Sequence, residues 1–370
     1  MSNELLAIGA LAVVCILVTP FFKDTLKIVY EKPNQVTITN TTVITEHPKK
    51  IILHNDSFLP KTVAGSEVSA YETIKYLRSR GHSVKVYVNQ YYYDQYDGFP
   101  IYELKKNNPA CEKDIAECDL IFFQGTKKRD MLELAQKYNK PCYVFIHVIA
   151  DHSWVLQQKM PFPVTVVYNS QMTQREQPTL HQSMRMIPYV DLQRFKSIRN
   201  YTTANSLVCL INCNRNKGGH LLYELAEKMS DVQFLGVKGG YSEHIGDGSL
   251  PLSNLTYIET QKDITVVYKK IGILIMPSEK ETWGRTAVEA MASGVVVIHS
   301  QAEGLIESVG GAGIQCDLSD SSEWMTAIRR VLGDPAYKEQ LRQRGFHRVE
   351  EIEIEQRRGR QELAMRIERV

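Results

Sequence analysis

Pro277-Ser278-Glu279-Lys280-Glu281-Thr282-Trp283-Gly284-Arg285-Thr286-Ala287-Val288-Glu289-Ala290-Met291-Ala292-Ser293-Gly294 lies between two apolar runs, Ile271 to Met276 and Val295 to Ile298. Runs this short, uncharged and bounded by turn residues read as buried parallel strands. The stretch between them is a charged loop followed by a helix that stops at Gly294. In an open α/β sheet, ligands bind just outside the carboxyl ends of the strands. Seven residues separate Glu281 from Glu289, with Gly284 between them. The two carboxylates flank a helix N-terminus, whose backbone N–H groups favour an anion. Such a place can hold a phosphate and, beside it, accept hydrogen bonds from sugar hydroxyls.

The same alternation extends outward. Upstream, Ile51 to His54, Val84 to Val88, Leu120 to Phe123, Tyr143 to His147 and Val164 to Val167 are apolar runs of strand length. Ala64 to Arg80 carries Val68, Tyr71, Ile74 and Leu77 at helical spacing and stops at Gly81. A second series starts with Leu207 to Ile211 and the helical stretch Gly218 to Met229, and continues through Val232 to Leu235 and Leu255 to Ile258 to the opening motif. Alternating strands and helices predict parallel sheets covered on both faces. The polar, turn-prone segment Asn200 to Asn205 separates the two series. The expected architecture is α/β, with Rossmann-like doubly wound domains at residues 51–198 and 199–345 facing a central cleft. Residues 346–370 mix Glu and Arg at helical spacing and read as a solvated helix with one apolar edge.

Composition agrees with this organisation. A chain of 370 residues is long for one domain, and 43% hydrophobic with 23% charged residues is globular usage. A formal net charge of +2 excludes nucleic-acid binding by bulk charge. Seven scattered cysteines without a CxxC pair argue against a disulfide framework and against zinc, and point to free buried thiols in a reducing compartment. No Asp-x-Asp pair occurs, so neither a divalent metal nor a cofactor is expected. Leu5 to Phe22 has 18 residues and no charge. A helix of that length spans about 27 Å, enough to cross a hydrocarbon core. Without a basic segment before it or a cleavage site after it, residues 1–22 read as an uncleaved membrane anchor. Residues 23–50 then read as a stem. Lys23, Lys27 and Lys32 follow the apolar run, which places the body on the cytoplasmic side.

The motif resembles the signature of glycosyltransferase family 4, Pro-Ser-x-x-Glu-x-Trp/Phe-Gly-x-x-x-x-Glu-Ala-Met-Ala-x-Gly. The likeness extends over most of residues 51–335. Gly65 and Arg80-Gly81-His82-Ser83-Val84 resemble the family's Gly-rich first loop and strand entry. Asn169-Ser170, Asn214-Arg215-Asn216-Lys217-Gly218 and Gly304-Leu305-Ile306-Glu307 resemble later elements. Pro188-Tyr189-Val190-Asp191 departs from the family's Asn-Gly-Val-Asp. The resemblance implies a GT-B fold and a retaining transfer from a nucleotide-diphosphate sugar to a hydroxyl acceptor, through a front-face mechanism in which the leaving phosphate helps to deprotonate the acceptor.

A leaving diphosphate gathers negative charge that a metal-free enzyme must meet with cations and aimed N–H groups. Arg215 can do so as a fork and Lys217 as a point charge, with Gly284, Arg285 and Thr286 at the helix start. By resemblance Glu289 takes the ribose hydroxyls, Glu281 lies near the donor sugar, and Glu307 belongs to the same site. Gly65 lets backbone approach the reacting sugar. His147 is expected to hydrogen-bond the transferred sugar, with His152 competing for that role and Asp56 and Asp151 as weaker candidates. The basic cluster Lys127, Lys128 and Arg129 faces anionic lipid, an acceptor phosphate or solvent. Glu259 to Lys262 is the region expected to meet the base. The donor can be UDP-, GDP- or ADP-linked, and the acceptor a glycan, lipid or protein. A non-catalytic nucleotide-sugar-binding protein and a GT-B epimerase are the alternatives.

Overall fold

Alternate residues of β1 (Lys50–Asn55) pack to opposite sides: Ile51 and Leu53 join one buried cluster and Ile52 another. That is the side-chain period of a strand covered on both faces. The computed structural model describes residues 44–370, apart from residues 63, 106, 125–128, 151, 202–204 and 240–250. The expected anchor at 1–22, most of the stem, Asp151, Lys127 and Lys128 lie outside the described residues, as does the side chain of Arg129. Among the described residues, no helix is long and apolar enough to cross a membrane.

The first sheet has eight strands in the order β3-β4-β2-β1-β5-β6-β7-β8. Its other members are β2 (Ser83–Val88), β3 (Gln95–Tyr96), β4 (Phe99–Glu103), β5 (Leu120–Phe123), β6 (Cys142–Ile146), β7 (Val164–Tyr168) and β8 (Gln182–Arg185). All pair in parallel except β3 with β4. The second sheet has six parallel strands in the order β11-β10-β9-β12-β13-β14. They are β9 (Leu207–Ile211), β10 (Phe234–Val237), β11 (Leu255–Ile258), β12 (Ile271–Met276), β13 (Val296–His299) and β14 (Ile314–Gln315).

Both Rossmann-like sheets were legible in the apolar runs. The strands that were not are β3, β4 and β8. β4 contains Pro100, which speaks against a strand, and β8 is the polar segment Gln-Ser-Met-Arg at a sheet edge. The six described cysteines are free and buried.

The last helix, Pro335–Glu368, is one unbroken element of 34 residues, so the expected division at 345/346 falls inside it. It begins against the second sheet, where Val349 and Ile352 join the core. It ends on the first, where Leu363, Ala364 and Ile367 are packed with Ile51, Leu77 and Phe122. Gly359 lies against Met186, and Gln356 donates to the carbonyl of Pro188 at 3.0 Å. Arg80 closes the end with a bond to Glu368 at 2.8 Å. The apolar edge expected from the sequence is therefore a seam that joins both domains. Leu363→Ala should lower stability by about 2–5 kcal/mol, the range for emptying a buried leucine site. Urea unfolding followed by circular dichroism measures it.

Candidate active site

In each sheet the chain starts in the middle, builds outward to one side, then returns to build the other. In the first sheet the reversal lies between β1 and β5, and in the second between β9 and β12. A crevice opens where strand order reverses, at the carboxyl ends. The helix Gly65–Ser79 starts after β1, and Gln124 follows β5. Lys217 follows β9, and the opening motif follows β12. Loops after β1, β6, β9 and β12 meet around one cleft of about 480 Å³, whose walls include Gly65, His147, Lys217, Glu281, Arg285 and Glu289.

The second-domain half is built by two loops pressed together. Asn214 accepts a bond from the Lys217 N–H at 2.9 Å and starts a single 3-10 turn, Arg215–Lys217. Gly218 ends it in the left-handed region at φ +84, where a Cβ would stand 2.6 Å from the carbonyl oxygen of Pro277 and overlap its ring. Only glycine meets both demands. The Glu279 N–H donates to the carbonyl of Asn216 at 3.2 Å. This contact delivers the Lys217 ammonium onto the Glu281 carboxylate, forming an ion pair within the cleft. Ser278 donates to the same Glu281 oxygen at 3.3 Å.

Glu289 is buried, and both its oxygens are engaged. Arg285 Nε donates to one at 2.9 Å, and the Tyr268 hydroxyl to the other at 3.1 Å. Burial first, and then the adjacent Glu289, push the Tyr268 phenol well above its usual range, so it stays protonated and donates. A carboxylate offers about four acceptor directions, so Glu289 keeps capacity for a diol. Arg285 also donates from Nη1 to the Tyr189 carbonyl at 2.7 Å. The helix Arg285–Ala292 begins at Gly284 with no side-chain cap, leaving its first N–H groups to the loop and cleft. Thr286 lies on the wall beside them.

The first-domain half holds Gly65, at the start of its helix, and His147, at the end of β6. A Cβ on Gly65 would meet nothing within 4 Å, so the backbone there faces open space. The Gln124 side chain donates from Nε2 to the Ser66 carbonyl at 2.5 Å and pairs through Oε1 with His147 Nε2 at 3.1 Å. One amide therefore holds the histidine against the first helix turn.

Arg215 and Glu307 are not brought to the cleft. In a 3-10 turn, residues two apart point away from each other, so Arg215 is exposed while Lys217 faces inward. Glu307 instead accepts the backbone N–H of Gln171, at 3.0 and 2.9 Å, outside the cleft walls. His152 is buried and also off the walls, and Asp56 accepts a bond from Asn89 at 3.0 Å away from them. Of the segment 259–262, Thr260, Gln261 and Lys262 line the cleft. Gln124, Lys238 and Thr282 were missed, and Asn169 was noted by resemblance without a role. Gln124 directly follows a predicted strand and Thr282 lies within the motif.

Residues 193–348 match the family model described as glycosyl transferases group 1. That stretch holds the whole second sheet and its half of the site, so the similarity to glycosyltransferases extends over this domain. D-inositol 3-phosphate glycosyltransferase of Corynebacterium kroppenstedtii is 37% identical over 75 residues, covering 20% of this chain and 17% of that protein. The enzyme of the same name from Thermobifida fusca is 26% identical over 141 residues, covering 34% and 32%. N,N'-diacetylbacillosaminyl-diphospho-undecaprenol alpha-1,3-N-acetylgalactosaminyltransferase of Campylobacter jejuni is 29% identical over 124 residues, covering 32% and 33%. The chain thus spans a third or less of these curated relatives. Among solved structures, Anabaena Alr3699/HepE in complex with UDP-glucose superposes with a TM-score of 0.68 at 17% identity, covering 86% of this chain and 100% of that one. Sucrose-phosphate synthase from Thermosynechococcus elongatus gives 0.61 at 18% identity, covering 82% and 94%. The fold is GT-B.

Gly218→Ala places a side chain in a left-handed conformation and against Pro277. It should destabilise the protein by more than about 1 kcal/mol and displace Lys217. The check is a urea midpoint below wild type, together with loss of the Lys217–Glu281 contact in a crystal structure of the variant.

Proposed function

We propose that the protein is a retaining, metal-independent glycosyltransferase of the family 4 type that moves a sugar from a nucleoside diphosphate sugar to a hydroxyl acceptor. One observation carries this reading: Lys217, Glu281 and Glu289 converge at the reversal of strand order in the second sheet, opposite Gly65 and His147 of the first.

The roles follow from the contacts. Lys217 is paired with Glu281. An entering diphosphate competes for the ammonium, and Glu281 is released to accept from a sugar hydroxyl. The ammonium then pairs with the diphosphate, and the freed carboxylate is satisfied by hydrogen bonds from the sugar hydroxyls. Glu289, fixed by Arg285 and Tyr268, accepts from the ribose diol. As the sugar–phosphate bond lengthens, charge grows on the diphosphate, and Lys217 with the N–H groups of the helix Arg285–Ala292 stabilises it. His147, oriented by Gln124, meets the transferred sugar from the other side. The acceptor attacks from the face the diphosphate leaves, and its proton passes to the leaving phosphate, which retains the anomeric configuration.

Thr260, Gln261 and Lys262 are the walls nearest the proposed base position. The complexes of Anabaena Alr3699/HepE with UDP-glucose and with UDP favour UDP-sugars as the first donors to test, ahead of GDP- and ADP-sugars. A lipid-linked acceptor is favoured over a glycan or protein by two features. One is the name of the Campylobacter jejuni relative, which specifies a diphospho-undecaprenol acceptor. The other is the uncharged run Leu5 to Phe22, proposed to anchor the body on the cytoplasmic side of a membrane.

Glu289→Ala and Lys217→Ala should abolish transfer while leaving the circular dichroism spectrum near wild type. Full activity of both with the true donor overturns the site. A donor at about a hundred times its Kd should raise stability by about 2.7 kcal/mol, a clear upward thermal shift. Binding without turnover over a broad acceptor panel points instead to a non-catalytic binding protein, and interconversion of the free nucleotide sugar to an epimerase. Activity unchanged by EDTA is expected, and EDTA-sensitive transfer restored by a divalent cation refutes metal independence.

A further inference from the structure

The segment that follows β7, Asn169 to Glu176, belongs to the first domain, yet second-domain groups hold it at successive points. The Asn169 amide donates from Nδ2 to the Thr282 hydroxyl at 3.2 Å and to the His147 carbonyl at 3.3 Å. Thr282 in turn donates to that His147 carbonyl at 2.7 Å. The Gln171 N–H is received by both oxygens of Glu307. Arg175 pairs with Glu303 at 2.5 Å, but their side chains are 57% and 52% exposed, so this pair adds little.

The second-domain partners form one unit. Gly304 donates its N–H to the Glu281 carbonyl at 3.1 Å, and a Cβ there would stand 2.7 Å from the Trp283 nitrogen. The loop 281–283 therefore lies flush on the helix Glu303–Val309, which carries Glu307. On the other side, Asn169 is buried, and its Oδ1 accepts from Thr173 at 2.9 Å, which fixes the amide.

We infer that Thr282 and Glu307 are positioning residues: together they clasp the segment 169–171 and so join closure of the two domains to the placing of His147 against the Glu281 loop. Thr282 binds the backbone of the residue whose imidazole faces the cleft, and it is the chain neighbour of Glu281. Closing the clasp sets both groups at once, and opening it separates them. This inference rests on the transferase reading for its kinetic consequence, but not for its geometry.

Two measurements test it. The first uses nitroxide labels on Lys113→Cys in the first domain and Asp231→Cys in the second, in a Cys15→Ser background. Both sites are exposed, and the remaining cysteines are buried. The otherwise wild-type chain should give one narrow distance distribution, and Thr282→Val or Glu307→Ala a broader one reaching longer distances. The second is kinetics with the donor identified by thermal shift. Both variants should lose about ten- to hundredfold in kcat, the scale of an ångström misplacement. Donor Kd should stay within about twofold, because neither residue is assigned to the diphosphate or ribose. Thr282→Ser should restore kcat, and Glu307→Gln should restore part of it. A wild-type distance distribution in both variants, or wild-type kcat in both, overturns the inference. If the unmutated protein binds no nucleotide and transfers no sugar, the transferase reading fails, while the distance measurement still decides whether the clasp exists.

Discussion

The contact of Gly218 with Pro277 sets the geometry on which the site depends. One glycine, held left-handed, lets the loop after β9 lie directly against the loop after β12. These strands are neighbours in the sheet but lie far apart in the sequence. Without that approach Lys217 and Glu281 would sit on separate loops. With it they form a single charged element at the place where the sheet reverses direction.

The rest of the cleft shows how much fixed structure surrounds its few charged groups. Glu289 is held by Arg285 on its own helix and by Tyr268 from the short helix Thr265–Tyr268. Arg285 is itself tied to the Tyr189 carbonyl, in the chain crossing between the domains. His147 is held by Gln124, which is held by the first turn of the helix Gly65–Ser79. Glu289, Arg285 and His147 are therefore each oriented by a neighbour in the protein. Such preorganisation lets electrostatic stabilisation act without rearrangement at the moment of reaction.

The sheets were readable because buried strands are written as uninterrupted apolar runs, as in Ile271 to Met276 and Leu120 to Phe123. The strands that escaped are at or beside sheet edges, where half-exposed positions such as those of Gln182 to Arg185 carry no apolar signal. The motif placed Glu281 and Glu289 because spacing along one loop and helix is local information. Arg215 and Glu307 were assigned to the cleft on the same local logic, and the outcome depended on what local logic omits. The side-chain spacing of a single 3-10 turn directs Arg215 outward. Glu307 is engaged by a helix that begins 136 positions earlier in the chain. Gln124 went unseen, and Asn169 was noted without a role, for a related reason: an amide after a strand is common, and its role appears only once a distant partner is fixed.

The terminal helix has a consequence for how the chain is made. Leu363, Ala364 and Ile367 belong to the core of the first sheet, and Glu368 receives Arg80 beside β2. The first domain therefore lacks part of its hydrophobic interior until residues 363–367 have been made, after the second. Domains commonly fold in order of synthesis, but this one waits for a piece delivered after its partner. Completion of the first domain thus reports that the second has been made and has brought the helix round. Loss of residues 363–368 would leave the first domain with an open seam, a defect on which cellular quality control can act.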